Sequence, residues 1–194
     1  IFKSNTKYAG ECFEKKEAAT MSTEEMYRYR ITKAFGDYGI NISLDDSVKF
    51  QMSYMKQQKL IKITEGIEEA LNYGKENNIT MAIITNGPED HQRKKVNLLD
   101  LHRWFDDDHI FISGGIGYQK PDPMAFQYIE KMFSLNPEET WYIGDTYEAD
   151  VVGADGAGWH TVWFNHRNRE RLENCADVTV RSIEELSRFI KERS

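Results

Sequence analysis

The sequence predicts an α/β protein in which a parallel sheet flanked by helices follows a smaller, all-helical domain. After about residue 61, short apolar runs rich in β-formers alternate with helical segments, which is the pattern of βαβ units. Residues 1–60 contain no such runs and are rich in Lys, Glu, Met and Tyr. Polar residues directly follow several of the apolar runs, at the end of a parallel strand where ligands bind. We therefore predict a helical domain over residues 1–60 and an α/β core over residues 61–194.

Two helices are predicted in the first domain. Ser22 and Glu25 form the capping-box pattern, so the first of them begins there, and apolar residues recur at helical spacing until Gly36. A second helix is predicted from Leu44 onward. We interpret the aromatic and Met side chains of both helices as core, because periodic burial explains them without a ligand.

The core is predicted to alternate strands and helices to the end of the sequence. The predicted strands cover residues 79–84, 109–113, 140–145, 161–164 and 178–180. The predicted helices cover residues 64–77, 89–99, 121–133 and 148–156, with a last one that begins at Ser182. Residues 114–117 are predicted to form a loop.

The charge, hydropathy and cysteine content of the sequence argue against several kinds of partner and location. The net charge of −7 and the isoelectric point near 5.3 argue against nucleic acid or an anionic membrane as partners. No apolar run approaches the roughly 20 residues of a membrane span. Cys12 and Cys175 match no metal-binding spacing, so two reduced thiols in a cytoplasmic protein are expected. The sequence begins at Ile1, without Met, in what reads as the middle of a helix, and we expect the natural chain to continue upstream.

Two short polar segments at predicted strand ends are candidates for phosphate binding. Thr85, Asn86 and Gly87 follow a buried strand, and a hydroxyl, an amide and a closely approaching backbone suit phosphate oxygens. Lys120 precedes Pro121-Asp122-Pro123, a rigid turn that would fix its positive charge near a transferring phosphoryl group. The alternatives are ordinary turn chemistry for the first segment and an exposed lysine for the second.

A third segment carries two carboxylates. Asp145 ends the predicted strand 140–145, and Asp150 follows it with no basic residue between them. Carboxylate oxygens at a strand end suit a hard cation such as Mg²⁺. The competing interpretation is that Asp145 caps the next helix and Asp150 is solvated, and the segment alone does not decide between the two.

The three segments together resemble the haloacid dehalogenase superfamily of aspartyl-nucleophile hydrolases. Three of the family's four motifs occur in order, as Ile84–Gly87, Lys120–Pro123 and Gly144–Asp150. The resemblance covers residues 61–194, and residues 1–60 are similar to the α-helical cap of one subgroup. It implies a Rossmann-like parallel sheet with a small helical cap domain.

The resemblance also implies a role for each candidate residue. Thr85 would contact the phosphoryl group, with Asn86 and Gly87 supporting it or shaping the loop. Lys120 would steady the nucleophile and the phosphoryl charge. Asp145 would bind Mg²⁺, and Asp150 would assist at the metal through water or an indirect contact.

The family's first motif is missing from the sequence. This Asp-x-Asp pair supplies the nucleophile and the general acid at the end of the first, central strand. Asp106-Asp107-Asp108 precedes a predicted strand, and Asp45-Asp46 opens a helix. We expect the motif upstream of Ile1, because loss of a central strand would leave its neighbours with unpaired edges. Residues 1–194 alone are then expected to be inactive, with either a gap between the strands that end at Thr85 and Asp145 or a segment from another source filling it.

The predicted activity is Mg²⁺-dependent hydrolysis of a phosphate monoester through an aspartyl-phosphate. The expected substrate is a small phosphorylated metabolite, namely a nucleotide monophosphate, a sugar phosphate or phosphoglycolate, and the protein is expected to be a monomer or homodimer. The alternatives are a 2-haloacid dehalogenase, a β-phosphoglucomutase-like mutase and a non-catalytic phosphate-binding module. Asp145 and Asp150 argue against dehalogenation, because a metal-free site gains only repulsion from extra carboxylates near a nucleophilic Asp.

Overall fold

The computed structural model describes Tyr8, residues 21–170 and residues 175–193. The chain divides into two compact units, residues 1–61 and residues 62–194. The expected helix at Ile1 and the thiol of Cys12 lie outside the described residues, whereas Cys175 is an exposed free cysteine.

The first unit contains two packed helices, α1 (Thr23–Gly36) and α2 (Leu44–Gln58). The predicted capping box is present, because the Ser22 hydroxyl accepts from the Glu25 N–H while the Glu25 carboxylate accepts from the Ser22 N–H. Ser43 caps α2 in a similar way through the Asp46 N–H. The role of this unit as a cap domain stays a prediction.

The second unit contains parallel strands and helices, as the sequence predicts. Its strands are β1 (Ile83–Thr85), β2 (Ile110–Ile112), β3 (Trp141–Gly144), β4 (His160–Phe164) and β5 (Val178–Val180). Its helices are α3 (Glu65–Glu76), α4 (Glu89–Leu98), α5 (Ser113–Ile116), α6 (Pro123–Phe133), α7 (Val152–Asp155) and α8 (Ile183–Glu192). Short 3₁₀ turns cover Leu101–Arg103, Asp107–His109 and Pro137–Glu139. None of the helices described is both long and apolar enough to cross a membrane.

The described strands form two parallel sheets. β1 pairs with β2, and β3, β4 and β5 follow in that order in the second sheet. Among the described residues, β1 and β3 lie in different sheets. That a central strand belongs between them stays a prediction. Helix α6 packs Phe126 and Ile129 into the core beside Ile84 of β1. Val162 and Val180 of the second sheet pack against Leu186 of α8.

The structure corrects three predicted boundaries. Residues 79–82 are not part of the strand. Asn78 has a φ of +55°, and the Ile79 N–H donates to the Gly74 carbonyl of α3. Ser113 begins α5 instead of ending a strand, so the predicted loop 114–117 is mostly helical. The predicted helix 148–156 begins one residue earlier as a π-helical turn, Tyr147–Val151, and continues as α7.

Candidate active site

Lys120 lies at the centre of a polar cluster that joins β1 to β3. Its Nζ donates to Asp150 Oδ1 at 2.6 Å, to the Tyr142 hydroxyl at 2.7 Å and to the Ile84 carbonyl at 3.1 Å. The side chains of Lys120 and Asp150 are only 10% and 7% exposed. An ammonium group has three N–H bonds, so these three acceptors match its full donor capacity. Lys120 is therefore a fixed positive charge and not an exposed lysine.

Asp150 is held from two sides. Besides the contact with Lys120, its Oδ2 accepts a hydrogen bond of 2.8 Å from the Thr146 N–H. A side chain at Gly144 would clash with the Asp150 side chain, which explains why glycine ends β3. Both oxygens of the Asp150 carboxylate are thus bonded within the protein. The alternative interpretation, in which Asp150 is exposed to solvent, is wrong.

Tyr142 is the member of this cluster that sequence reasoning missed. Its hydroxyl lies 3.3 Å from Asp150 Oδ1 and 3.5 Å from the Ile84 carbonyl oxygen. Burial, followed by the negative charge of Asp150, raises the pKa of Tyr142 well above its ordinary value, so the phenol stays neutral. The available signal was a hydroxyl-bearing residue inside an otherwise apolar strand that ends at a candidate site.

Asn86 connects the turn after β1 to the segment that carries Lys120. Its Nδ2 donates to the Lys120 carbonyl at 2.7 Å, and its Oδ1 accepts from the Lys120 N–H at 2.9 Å. Both ends of the amide are therefore engaged by the main chain of one residue. The side chain of Asn86 shapes the loop, which was one of the two roles expected for it.

The other two residues of the turn after β1 differ in how their polar groups are used. The N–H of Gly87 donates to Ser113 Oγ at 2.9 Å, and its φ of +145° suits glycine. Thr85 ends β1 and is half-buried. Within the described part of the chain, its hydroxyl makes no hydrogen bond. Thr85 therefore offers a hydroxyl beside the loop that Asn86 fixes.

Asp145 has different neighbours from Asp150. Its Oδ2 lies 3.2 Å from Arg167 Nη2 and 3.5 Å from His166 Nε2, and its Oδ1 accepts from the Thr146 hydroxyl at 3.2 Å. The side chain is 37% exposed. Arg167 and His166 follow β4, whose last residues pair with the end of β3 in register.

The turn that presents Arg167 is itself held by a buried amide. Asn165 is 3% exposed, and its side chain bonds both the N–H and the carbonyl of Arg169. Sequence reasoning missed Arg167, because nothing in its local pattern indicates contact with Asp145.

The two carboxylates differ in whether they could bind a metal ion. The oxygens of Asp145 are the right donors for a hard cation and are accessible, whereas those of Asp150 are occupied by Lys120 and Thr146. Asp145 belongs to no group of three metal-binding side chains among the described residues. One such group is formed by Asp106, Asp108 and His109, which precede β2. A complete magnesium site at Asp145 needs further oxygen ligands.

The chain is similar to phosphatases of known name. A phosphoglycolate phosphatase of Pseudomonas aeruginosa is 30% identical over 143 residues, which are 71% of this chain and 50% of that protein. A phosphoserine phosphatase of Thermus thermophilus is 30% identical over 135 residues, which are 69% of this chain and 53% of that protein. The chain thus spans about half the length of the curated relatives it matches.

A solved structure has the same fold. The HAD-hydrolase YfnB of Bacillus subtilis, in a form bound to magnesium, superposes with a TM-score of 0.66 and 22% identity, over 96% of this chain and 80% of that one. The family model of haloacid dehalogenase-like hydrolases matches residues 2–164. The fold, the order of the three motifs along the sequence and this match show that the chain belongs to the family of haloacid dehalogenase-like hydrolases.

Proposed function

We propose that the protein is a Mg²⁺-dependent phosphate monoester hydrolase that acts through an aspartyl-phosphate on a small phosphorylated metabolite. The observation that carries the proposal is the Lys120 ammonium, which is buried and paired with Asp150 of the motif that follows β3. A preorganised positive charge at this place stabilises the charge that develops during phosphoryl transfer. The relatives named as phosphatases support the same class of reaction.

Each candidate residue predicted from the sequence has a role in this proposal. Thr85 contacts the phosphoryl group with its hydroxyl, while Asn86 and Gly87 hold the loop beside it. Lys120 neutralises negative charge on the phosphoryl group and on the nucleophile. Asp145 is the carboxylate that would hold Mg²⁺, which supplies positive charge to the phosphoryl oxygens when it is bound. Asp150 holds Lys120 and would assist at the metal through water or an indirect contact.

The nucleophile in this proposal is an Asp of an Asp-x-Asp pair upstream of Ile1. Within the printed sequence no such pair follows an apolar strand. The segment that carries it would lie between β1 and β3, which are in separate sheets among the described residues. Residues 1–194 alone would then release no phosphate and bind Mg²⁺ weakly, since Asp145 by itself is a poor site for an ion that sheds water reluctantly.

The substrate proposed is a nucleotide monophosphate, a sugar phosphate or phosphoglycolate. In this proposal the first unit acts as the cap and selects the leaving group. A cytoplasmic location and a monomeric or homodimeric state complete the proposal, and neither bears on the chemistry of the site.

The proposal is tested by phosphate release from a panel of these esters, with the complete protein, over a range of Mg²⁺ concentrations. Replacing Asp145 by Asn is expected to lower kcat by about 100-fold or more, because the metal loses its accessible carboxylate. Asp155→Asn, at an exposed position of α7, is the matched control and should leave kcat unchanged.

Two results would contradict the proposal. Phosphate release that is insensitive both to EDTA and to Asp145→Asn would exclude this metal site. Metal-independent halide release from a 2-haloacid, with no phosphate release, would replace it with dehalogenation.

A further inference from the structure

The proposed reaction gives no role to Arg167, although its guanidinium contacts the carboxylate that would hold Mg²⁺. Arg167 Nη2 lies 3.2 Å from Asp145 Oδ2, and His166 Nε2 lies 3.5 Å from the same oxygen. The other oxygen, Oδ1, accepts a hydrogen bond of 3.2 Å from the neighbouring Thr146 hydroxyl. Both basic side chains thus meet one oxygen of the carboxylate.

The contact between Asp145 and Arg167 lies on the side of β3 that is paired with β4. Asp145 directly follows β3, Arg167 follows β4, and Gly144 and Trp163 near the ends of the two strands are register partners. A strand has two edges, and β4 occupies one edge of β3. The upstream strand of the proposed function would take the other edge. The contact is therefore compatible with the complete protein.

The turn that presents Arg167 is held by hydrogen bonds of Asn165. The Asn165 side chain accepts from the Arg169 N–H at 2.8 Å and donates to the Arg169 carbonyl at 2.9 Å, while its main-chain carbonyl accepts from the Asn168 N–H at 3.0 Å. The Asn165 N–H donates to the Val180 carbonyl of β5 at 2.7 Å. The fold thus determines where the backbone of Arg167 lies, although its side chain is 52% exposed.

A cation that binds Asp145 Oδ2 has to take this oxygen from Arg167. A divalent cation and a guanidinium on one oxygen repel each other, and at a separation of a few ångströms water does not remove the repulsion. An arginine side chain does not lose its proton in proteins, so it relieves the repulsion by moving away. The ion pair is exposed, and breaking it costs little. Binding of the cation and the contact with Arg167 are therefore alternatives.

We propose that Arg167 competes with Mg²⁺ for Asp145 Oδ2 and so sets the Mg²⁺ concentration that the complete protein needs. This inference rests on the proposed role of Asp145 at the metal. Arg167 neutralises the carboxylate before the ion binds and turns towards solvent when it binds. The metal site is weaker and releases its ion more readily than it would without Arg167.

The first test is the Kd of Mg²⁺ for the complete protein, measured by titration calorimetry in the wild type and in Arg167→Gln. Glutamine keeps a polar side chain and removes the charge. We expect the Kd to fall about fivefold, because the ion no longer displaces a cation. Arg188→Gln, at an exposed position of α8, makes the same change in net charge and should leave the Kd unchanged. An unchanged or higher Kd in Arg167→Gln, or an equal fall in both variants, would overturn the inference.

The second test follows Arg167 itself and needs no turnover. The rate at which a small arginine-reactive dicarbonyl labels Arg167, measured by peptide mass spectrometry, reports how often the guanidinium is free of Asp145. We expect saturating Mg²⁺ to raise this rate roughly threefold, the scale of an exposed ion pair, and to leave the rate at Arg188 unchanged. In Asp145→Asn the rate at Arg167 should be raised before Mg²⁺ is added and should not respond to the ion.

The two tests separate failure of the inference from failure of the proposed function. A labelling rate at Arg167 that does not respond to Mg²⁺ would overturn the inference, because the ion would then bind without displacing the guanidinium. The proposed function survives that result if Asp145→Asn weakens Mg²⁺ binding. If Asp145→Asn leaves Mg²⁺ binding unchanged, the proposed role of Asp145 fails, and the inference is overturned with it.

Discussion

Asp145 and Asp150 belong to the same short motif, yet the structure gives their carboxylates opposite surroundings. Asp150 is 7% exposed and meets Lys120 and the Thr146 N–H, whereas Asp145 is 37% exposed and meets the side chains of Arg167 and His166. A buried pair depends on both partners, because either charge alone would be stranded away from water. An exposed ion pair contributes little to stability. Its positively charged partner can therefore be exchanged for another cation. The motif therefore combines one carboxylate that builds the site with one that is available to a ligand.

The largest expected effect is on stability and separates the two carboxylates directly. Asp150→Ala should lower the free energy of unfolding by about 3–5 kcal/mol, because the Lys120 ammonium is left buried without its counter-charge. Asp145→Ala should change it by less than about 1 kcal/mol, since its partners are exposed. Urea denaturation of both variants measures the difference.

A charge-free replacement provides the control for this prediction. In the double variant Lys120→Met, Asp150→Leu no buried charge remains, so most of the stability lost in Asp150→Ala should return. Similar losses in Asp145→Ala and Asp150→Ala would show that the exposure of the two carboxylates does not govern their contribution.

A smaller effect is expected at Asn86, which supports the buried pair through the main chain. Asn86→Ala removes two hydrogen bonds to Lys120 and should lower the free energy of unfolding by about 1–2 kcal/mol. In the complete protein, kcat should fall with little change in KM, because the Lys120 loop loses its fixed position. Asn97→Ala, at an exposed position of α4, is a suitable control. A loss of stability with unchanged kcat would show that catalysis does not depend on the two hydrogen bonds between Asn86 and Lys120.

The smallest expected effect concerns Asp177, a third carboxylate, which is exposed but hydrogen-bonded. Partial burial raises its pKa, but hydrogen bonds from the Thr161 N–H and from His160 and Thr161 outweigh burial and lower the pKa below its ordinary value. A carboxyl whose pKa is lower in the folded state contributes stability above its unfolded pKa, about 4. This contribution is lost as the pH falls through the folded pKa.

Thermal unfolding between about pH 2 and pH 6 measures this contribution of Asp177. The midpoint of the wild type should fall more steeply towards low pH than that of Asp177→Asn, because the variant has no carboxyl to protonate. Parallel curves for the two proteins would show that the Thr161 and His160 contacts do not depend on the charge of Asp177.

Sequence patterns alone predicted the class of fold and the order of its elements. Alternating apolar runs and helical segments indicated βαβ units, and the capping box at Ser22 and Glu25 located the start of α1. These signals are local, since strand and helix periods and caps depend on residues a few positions apart. The segments at Thr85 and Asp145 were also found this way, because a polar residue after an apolar run is visible without any partner. Lys120 was found from the rigid turn Pro121–Pro123 that follows it.

Only the tertiary structure decided how those residues are used. Lys120 contacts Ile84, Tyr142 and Asp150, which come from three different segments of the chain, and Asn86 reaches the Lys120 main chain. Periodicity indicates which face of a strand a side chain occupies, but it does not indicate which acceptor lies opposite. The different surroundings of Asp145 and Asp150 have the same cause. The residues that bury each carboxylate or carry its counter-charge are distant in sequence, and only folding brings them together.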